Sequence, residues 1–293
     1  MASKTVIMEA SSKDVWDPAN TNSKQPPEWF IGELKELDGT ARAVFEKYSG
    51  LSPDAVIPHI VEVRNRAFDI FPYPCIGLFR FLDLAIRKSP NYPEVLQRLK
   101  DGQSYLDIGC CFGQDIRKLV ADGAPSENTY GSDLRMDFME LGYDLFLDRE
   151  TLKTKFIAGD IFDPDSPIKQ LDGKIDIINA SSFLHLFSWD QQVKASKVLV
   201  SLLKPQAGGL IIGRQMGDVE AKECPVRSRP EITRFRHNGE SFKRMWKLVG
   251  DETGTDWQVD VRLTDTDLTR LIGTPVDWLP AGARAMSFTI RRL

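Results

Sequence analysis

After residue 102, short apolar runs alternate with amphipathic segments along the chain. Runs suited to buried strands lie near residues 104–108, 128–132, 155–158, 175–179 and 209–213. Between them, apolar positions recur at helical spacing, as Ile116 and Leu119 do before Gly123. A later helix is predicted to begin at Ser188, which has capping-box spacing with Gln191. Strands that alternate with crossover helices are typical of an α/β fold with a parallel sheet.

The two ends of the chain differ from this middle part. Towards the C-terminus, the stretches WQVDVRL and ARAMSFTIRR alternate apolar and polar positions, which predicts an antiparallel pair at one edge of the sheet. Residues 1–100 are expected to form a polar arm, up to about residue 28, and then a helical cap. The apolar face of that cap is predicted to carry Leu78, Phe81, Leu82 and Ile86. Residues 215–256 are expected to be an irregular insertion that carries a specificity element.

Composition and charge exclude several classes of protein. The chain has 293 residues, with 38 Lys and Arg against 42 Asp and Glu and no long basic run, so nucleic acid is not an expected partner. Neither metal-ligand spacing nor secreted disulfide spacing is found among the cysteines, which are Cys75, Cys110, Cys111 and Cys224. No apolar stretch predicts a secretory signal or a membrane span. We therefore expect a cytoplasmic protein with reduced thiols, no membrane partner and no bound metal.

The stretch YLDIGCCFGQD, residues 105–115, joins a predicted strand to a predicted helix through two glycines. Such a junction can hold several ligands, because a helix N-terminus offers free N–H groups and glycine allows close approach. The lysine of a P-loop is missing, and a dinucleotide fingerprint would need glycine at Cys111 and a small residue at Gln114. Asp107 and Asp115 repel phosphate and attract a cation. S-adenosylmethionine therefore fits this turn better than a triphosphate or NAD.

Further carboxylates are predicted at the ends of the next two strands. Asp133 in GSDLR ends the second strand, where a carboxylate accepts hydrogen bonds from both hydroxyls of a ribose. Asp160 in AGDIF ends the third strand, within reach of an adenine amino group. Because the carboxyl ends of parallel strands meet at one edge of a sheet, Asp107, Asp133 and Asp160 are expected to line a single ligand site. Together they predict S-adenosylmethionine binding more strongly than any one of them does alone.

These motifs resemble those of class I S-adenosylmethionine-dependent methyltransferases over about residues 100–293. More narrowly, the chain is similar to fungal methyltransferases of meroterpenoid and polyketide biosynthesis in the stretches FPYPCIGLFRFL, YLDIGCCFGQDIRKLVADGAP, YGSDLRMDFMELGYDLFLDR and SSFLHLFSW. The resemblance implies a Rossmann-like, mostly parallel seven-stranded sheet with an antiparallel edge pair, in which residues 101–293 bind the cofactor. It also implies esterification of a small-molecule carboxylic acid, release of S-adenosylhomocysteine, and a homodimer. Cys111 departs from the broad class, which usually has glycine there.

The resemblance assigns expected contacts to the cofactor residue by residue. The methionine part is expected to meet Gly109 and Gly113, beside Asp107, which directly precedes the turn. The ribose is expected to meet Asp133 and Leu134, and the adenine Asp160 and Ile161. The backbone next to the sulfonium is expected to come from Asn179, Ala180 and Ser181.

A few side chains are candidates for the chemistry on the acceptor. His185, just past the fourth predicted strand, is the candidate base or acceptor-orienting residue, and a histidine packed in a loop is the equal alternative. Candidate acceptor contacts, each with a structural role as its alternative, are Arg80, Arg214, His237 and Trp246. The remaining arginines of the 215–256 segment are expected to form a solvated face, and the alternative is that one of them steers an acidic acceptor; they are Arg227, Arg229, Arg234 and Arg236.

Several functions remain open at this point. A carboxylic acid is already ionised at neutral pH, whereas a phenol, with a pKa of about 10, would need His185 as a base. A domain that binds S-adenosylmethionine without transferring its methyl, such as a cyclase or a scaffold, would keep the same carboxylates. A dinucleotide reductase is the alternative that the turn favours least.

Overall fold

The computed structural model describes residues 29–226, 229–267 and 282–293. The described strands are β1 (Tyr105–Ile108), β2 (Thr129–Asp133), β3 (Lys155–Ala158), β4 (Ile177–Asn179), β5 (Leu210–Asp218), β6 (Lys222–Val226), β7 (Arg229–Arg236), β8 (Trp257–Asp267) and β9 (Ala283–Arg292). The described α-helices are α1 (Gly39–Ala43), α2 (Pro53–Ile70), α3 (Pro74–Gly77), α4 (Tyr92–Lys100), α5 (Gln114–Ala121), α6 (Met136–Phe146), α7 (Trp189–Leu202) and α8 (Gly239–Thr253). None of these helices is long and apolar enough to cross a membrane. The predicted arm, up to about residue 28, lies outside the described residues.

A seven-stranded sheet has the order β3–β2–β1–β4–β5–β9–β8. The strands β1 to β5 pair in parallel, and β9 is antiparallel to both β5 and β8. The predicted Rossmann-like sheet with an antiparallel edge pair is therefore confirmed. The carboxyl ends of β1 to β4 share one edge, so the turns that follow these strands face one another.

Helices cover both faces of the sheet. Leu106 and Ile108 of β1 belong to the core on the side of α7 and α8, whereas Tyr105 packs into the core on the side of α4 and α5. Because the central strands are buried on both faces, their sequences form continuous apolar runs. The predicted helix starts are also found, since Ser188 and Gln191 form a reciprocal capping box at the start of α7.

The cap before β1 is helical, but the apolar positions predicted at helical spacing, residues 78–86, do not lie on one α-helix. After α3, two short 3₁₀ turns cover residues 80–83 and 85–88. Each follows a residue with left-handed backbone, Phe79 with φ 54° and Leu84 with φ 44°. Left-handed residues interrupt the hydrogen-bond pattern of a right-handed helix. The apolar side chains are nevertheless buried, and Phe81 meets Phe112 of the Gly-rich turn edge to face at 5.0 Å.

The described residues of 215–256 form regular elements, so the expectation of an irregular insertion is wrong. They contain the end of β5, the antiparallel hairpin of β6 and β7, and α8, which Asn238 caps. The sequence pattern does not predict these two strands, because Pro225 lies in β6 and Pro230 in β7, and proline argues against a central strand. A two-stranded hairpin has two edges, where proline is tolerated.

Candidate active site

The turn after β1 is built from left-handed backbone. Gly109, Cys111 and Gly113 have φ values of 71°, 53° and 64°. The conformation suits glycine and strains Cys111, which stands where the broad class has glycine. Three hydrogen bonds to the end of β2 hold the turn. Gly109 N–H and Cys110 N–H donate to the Ser132 carbonyl at 2.7 Å and 3.0 Å, and Cys111 N–H donates to Asp133 Oδ2 at 2.9 Å. The strained residue is thus fixed by the acid predicted to bind ribose.

Asp133 is the centre of this hydrogen-bond arrangement. Its second oxygen, Oδ1, accepts from the backbone N–H of Arg135 at 3.2 Å. Burial raises the pKa of Asp133, although three backbone N–H groups, that of Cys111 first, oppose the shift. Each carboxylate oxygen has lone pairs beyond the one used here, so the half-buried side chain can still accept from two hydroxyls. The geometry fits the predicted ribose contact.

Asp107 and Asn179 form a buried pair at the ends of β1 and β4. Asn179 Nδ2 donates to Asp107 Oδ1 at 2.8 Å, and Ser181 Oγ donates to Asn179 Oδ1 at 2.8 Å. Burial raises the pKa of Asp107 well above its ordinary value, and the charge of Asp115 raises it further. A positively charged ammonium would favour the ionised form of such an acid. The pair therefore fits the methionine end of S-adenosylmethionine.

The other predicted cofactor residues lie along the same edge of the sheet. Asp160 follows β3, and its Oδ1 accepts from the backbone N–H of Phe162 at 2.9 Å. Ile161 is buried beside it, and Leu134 is half-buried after β2. Ala180 continues beyond β4, where its N–H donates to the Ile212 carbonyl at 2.8 Å. The structure thus gathers the predicted residues at one edge.

Two cap residues, Tyr73 and Cys75, face this edge. The Cys75 side chain is exposed, yet burial by the surrounding protein raises its pKa to about 12, and the charge of Asp133 raises it further. A side chain that is accessible but closely surrounded lines a recess. Burial and the same carboxylate also raise the pKa of Tyr73. The cap therefore supplies one wall of the recess at Asp133.

His185 lies in the segment that runs from β4 along β5. Met216 N–H donates to His185 Nδ1 at 3.3 Å. Because a backbone N–H can only donate, Nδ1 accepts, and the neutral ring carries its proton on Nε2. Burial, and then the charges of Arg236 and Arg234, lower the pKa of His185 well below its ordinary value. The ring is therefore a neutral hydrogen-bond donor at physiological pH.

Arg80 and Arg214, both candidates for a ligand carboxylate, share a carboxylate of the protein. Arg80 Nε and Arg214 Nη2 each lie 3.0 Å from Asp83 Oδ2, and Lys88 Nζ lies 3.7 Å from Asp83 Oδ1. These contacts join the cap to the middle of β5. Burial raises the pKa of Asp115 to about 6, and the charge of Arg214 opposes this rise. The two arginines thus connect cap and sheet, and we do not place them at the acceptor.

His237 and Trp246 lie in the protein core. Both side chains are 0% exposed. His237 Nδ1 lies 2.9 Å from Ser241 Oγ in α8, and burial lowers the histidine pKa to about 3. Trp246 packs edge to face against Trp257 at 5.3 Å. Neither side chain presents a surface that a ligand could touch, so the proposed site excludes them.

Arg236 is more buried than the sequence predicts, and it contacts the segment that carries His185. It was expected on a solvated face, but it is 8% exposed, and its Nη1 donates to the His185 carbonyl at 2.7 Å. The available signal was the spacing of Arg234 and Arg236, which places both on one side of a strand. That signal becomes readable only when residues 229–236 are known to form β7.

Comparisons with known proteins cover both parts of the chain. Residues 29–82 match the family described as meroterpenoid methyltransferase N-terminal domain, and residues 106–206 match a methyltransferase domain family. The chain is 42% identical to O-methyltransferase phiE of Fungal sp., over 100% of both chains. It is 42% identical to O-methyltransferase atr3 of Stereocaulon alpinum, over 93% of this chain and 78% of that protein. It is 44% identical to the asnovolin E/chermesin D methyltransferase nvfJ of Aspergillus novofumigatus, over 80% of this chain and 87% of that protein.

The similarity to these relatives extends through the cap as well as the sheet, and the residues that surround the recess lie within it. The recess fits S-adenosylmethionine, since its carboxylates are placed for an ammonium and a ribose. The chain therefore belongs to the fungal family of S-adenosylmethionine-dependent O-methyltransferases that carry the meroterpenoid methyltransferase N-terminal domain.

Proposed function

We propose that this protein methylates a carboxylate of a fungal secondary metabolite, of meroterpenoid or polyketide type, and so forms a methyl ester. The observation that carries the proposal is the hydrogen bond from Met216 N–H to His185 Nδ1. It leaves Nε2–H as the free polar group of the ring, which can donate to an acceptor oxygen. A site with a donor at this position suits an acceptor that is ionised before it binds.

The proposed cofactor contacts are those gathered at the edge of the sheet. Asp107 would meet the ammonium, Asp133 the ribose hydroxyls and Asp160 the adenine. The left-handed backbone at Gly109 and Gly113 lets the ligand approach the turn closely. S-adenosylmethionine supplies a methyl group on a positively charged sulfur, and neutral S-adenosylhomocysteine is left when an oxygen takes that methyl.

A carboxylic acid acceptor requires no proton transfer from the protein. Its pKa of about 4 means that it is ionised at neutral pH. The protein then has to hold the carboxylate in line and exclude water. His185 contributes one N–H group to that task, and the charges of Arg234 and Arg236, which act on its ring, favour an anion there.

A phenol acceptor would need His185 with its proton on the other ring nitrogen. To take a proton on Nε2, the neutral ring would first have to move its own proton to Nδ1 and lose the hydrogen bond from Met216. A lowered pKa also makes the ring a weak base. These two features favour the carboxylate over the phenol or enol alternative.

The test is to incubate the purified protein with S-adenosylmethionine and a panel of aromatic and terpenoid carboxylic acids, beside their phenolic counterparts. Mass spectrometry is expected to show the gain of a methyl on an acid, and mild alkali is expected to remove it. An alkali-stable methyl would contradict the ester and favour an ether. Cofactor binding without any methyl gain across the panel would count against the proposal and favour a non-methylating role.

A further inference from the structure

We propose that Arg236 binds the carboxylate of the methyl acceptor and, together with His185 Nε2–H, selects ionised acids over neutral molecules. This inference rests on the proposed function and names the residue that holds the acceptor's charge.

The β6–β7 hairpin is fixed against the segment that carries His185. Phe235 N–H donates to the Phe187 carbonyl at 2.9 Å, and Trp189 N–H donates to Glu223 Oε1 at 3.1 Å. The bond from Arg236 Nη1 to the His185 carbonyl, at 2.7 Å, adds a third connection. These contacts therefore fix the position of the Arg236 guanidinium relative to the segment that carries His185.

Arg236 is a buried charge with little compensation. Its Nε has no hydrogen-bond acceptor, and no carboxylate within the described ranges forms an ion pair with it. The charge of Asp218 acts on Arg236, but Asp218 Oδ1 forms its ion pair with Lys222, at 3.5 Å. Burial of a guanidinium costs free energy unless an anion or several acceptors surround it. Binding of an anionic ligand would remove that cost.

Arg64 shows what a buried structural arginine looks like in the same chain. Its Nη1 donates to the carbonyls of Ile31 at 2.7 Å and Gly77 at 3.3 Å, and its Nη2 donates to that of Gly32 at 3.2 Å. Aromatic rings also lie 4.4 Å and 4.0 Å from its guanidinium carbon. Arg236 has a single carbonyl partner by comparison. It therefore retains donors for a ligand.

The charges around Arg236 also favour an anion. Arg234 lies two residues earlier on the same face of β7, and Lys222 pairs with Arg236 across the hairpin. Both arginines lower the pKa of His185, which shows that their positive charges act on the ring. A carboxylate has the complementary charge, and its two oxygens match the fork of a guanidinium.

The test compares acids with their own methyl esters as ligands, in the presence of S-adenosylhomocysteine so that no turnover occurs. Saturation-transfer NMR on the panel acids is expected to show that wild type binds acids at least about tenfold more tightly than esters. Arg236→Gln is expected to abolish this preference while it retains S-adenosylhomocysteine affinity. Equal binding of acid and ester by wild type, or an unchanged preference in Arg236→Gln, would overturn the inference.

Lys243→Gln is the matched control, because it removes the same charge from an exposed position on α8, outside the hairpin, and is expected to keep the preference. If Arg236→Gln does not fold, the wild type still decides the question. The Arg236 Nε–H resonance, identified by its loss in Arg236→Lys, should shift when an acid is added and stay fixed with its ester. Absence of a shift with the acid would overturn the inference.

The product assay separates this inference from the proposed function. An alkali-stable product contradicts the methyl ester, whatever Arg236 does. An alkali-labile ester combined with an unchanged acid preference in Arg236→Gln leaves the proposed function standing and contradicts only the role of Arg236.

Discussion

The two sides of the proposed site are built from opposite charges and by different means. On the cofactor side, the carboxylates of Asp107 and Asp133 lie directly at strand ends and accept hydrogen bonds from nearby amides. On the acceptor side, His185 and Arg236 come from segments 51 residues apart and meet through a single side-chain contact. The first arrangement follows from neighbouring strands of the sheet, which local sequence patterns predict. The second exists only when the hairpin packs against the segment after β4.

The cofactor side also has a buried scaffold built on an ion pair. Arg117 donates to both oxygens of Asp148, at 2.7 Å and 2.9 Å, and to the Phe112 carbonyl of the Gly-rich turn at 2.6 Å. Tyr48 of the cap donates to the same carboxylate at 2.7 Å. This network joins the cap, α5 and the Gly-rich turn. Removing the network should therefore show how much it stabilises the protein.

Asp148→Ala is expected to have the largest effect on stability. It leaves the Arg117 guanidinium, which is 0% exposed, without a counter-charge. Breaking such a pair from one side costs about 3–5 kcal/mol. Urea unfolding followed by circular dichroism measures the loss. Glu46→Gln, which removes an acid from the more exposed ion pair with Arg42, is the control; a similar small loss in both variants would contradict the scaffold.

Asp133→Ala is expected to lower S-adenosylhomocysteine affinity by about 100-fold, because two hydrogen bonds to a charged acceptor disappear. The variant also frees Cys111 N–H, which Asp133 holds in the strained turn. Isothermal titration calorimetry measures the affinity. Asp137→Ala removes an exposed acid four residues away and should bind normally. Wild-type affinity in Asp133→Ala would make the ribose assignment wrong.

Variants of His185 distinguish a hydrogen-bond donor from a general base on the acceptor side. His185→Ala is expected to lower kcat/KM for an acid by about tenfold, the value of one hydrogen bond to a charged group, and His185→Gln should recover most of it. Because the folded-state pKa is lowered, the ring becomes charged only on acidification below the usual histidine range. The rate should therefore be flat through neutral pH. A limb that rises with pH near 6.5 would favour the base instead.

Asp83→Asn is expected to have the smallest effect, since the contact between cap and sheet is partly exposed. Its ion pairs with Arg80 and Arg214 have side chains that are 29–37% exposed, and such pairs contribute up to about 1 kcal/mol. These arginines lower the pKa of Asp83, so the contribution is present above the unfolded-state pKa and is lost as the pH falls through the folded-state value. Unfolding at pH 7 and pH 2.5 tests this. A larger loss at pH 2.5 would contradict it.

The sequence could predict the features that depend on neighbouring residues. The strands of the parallel sheet, the capping box at Ser188 and the acid at the end of β2 all follow from local patterns, and the structure contains them. The broken cap helix was not predictable in this way, because left-handed backbone at Phe79 and Leu84 has no glycine to signal it. The burial of Arg236 was not predicted, because it depends on a tertiary contact.

The same limit explains why four predicted acceptor residues were placed elsewhere. Arg80 and Arg214 meet Asp83, which is distant from Arg214 in the sequence. His237 and Trp246 are buried because β7 and α8 pack onto the sheet. Residue type alone gives no information on such partners. His185 does lie just past β4, as predicted, and its contact with β5 is visible only in the structure.

The most direct test of this account is ¹⁵N NMR of the His185 ring in the full-length protein, with S-adenosylhomocysteine bound, from pH 5 to pH 8. The account predicts a neutral ring with the proton on Nε2 and an unprotonated Nδ1 across this range, and Met216 N–H as the donor to Nδ1. A ring with its proton on Nδ1, or one that titrates near pH 6.5 to 7, would contradict the donor role and with it the case for an acceptor that arrives ionised.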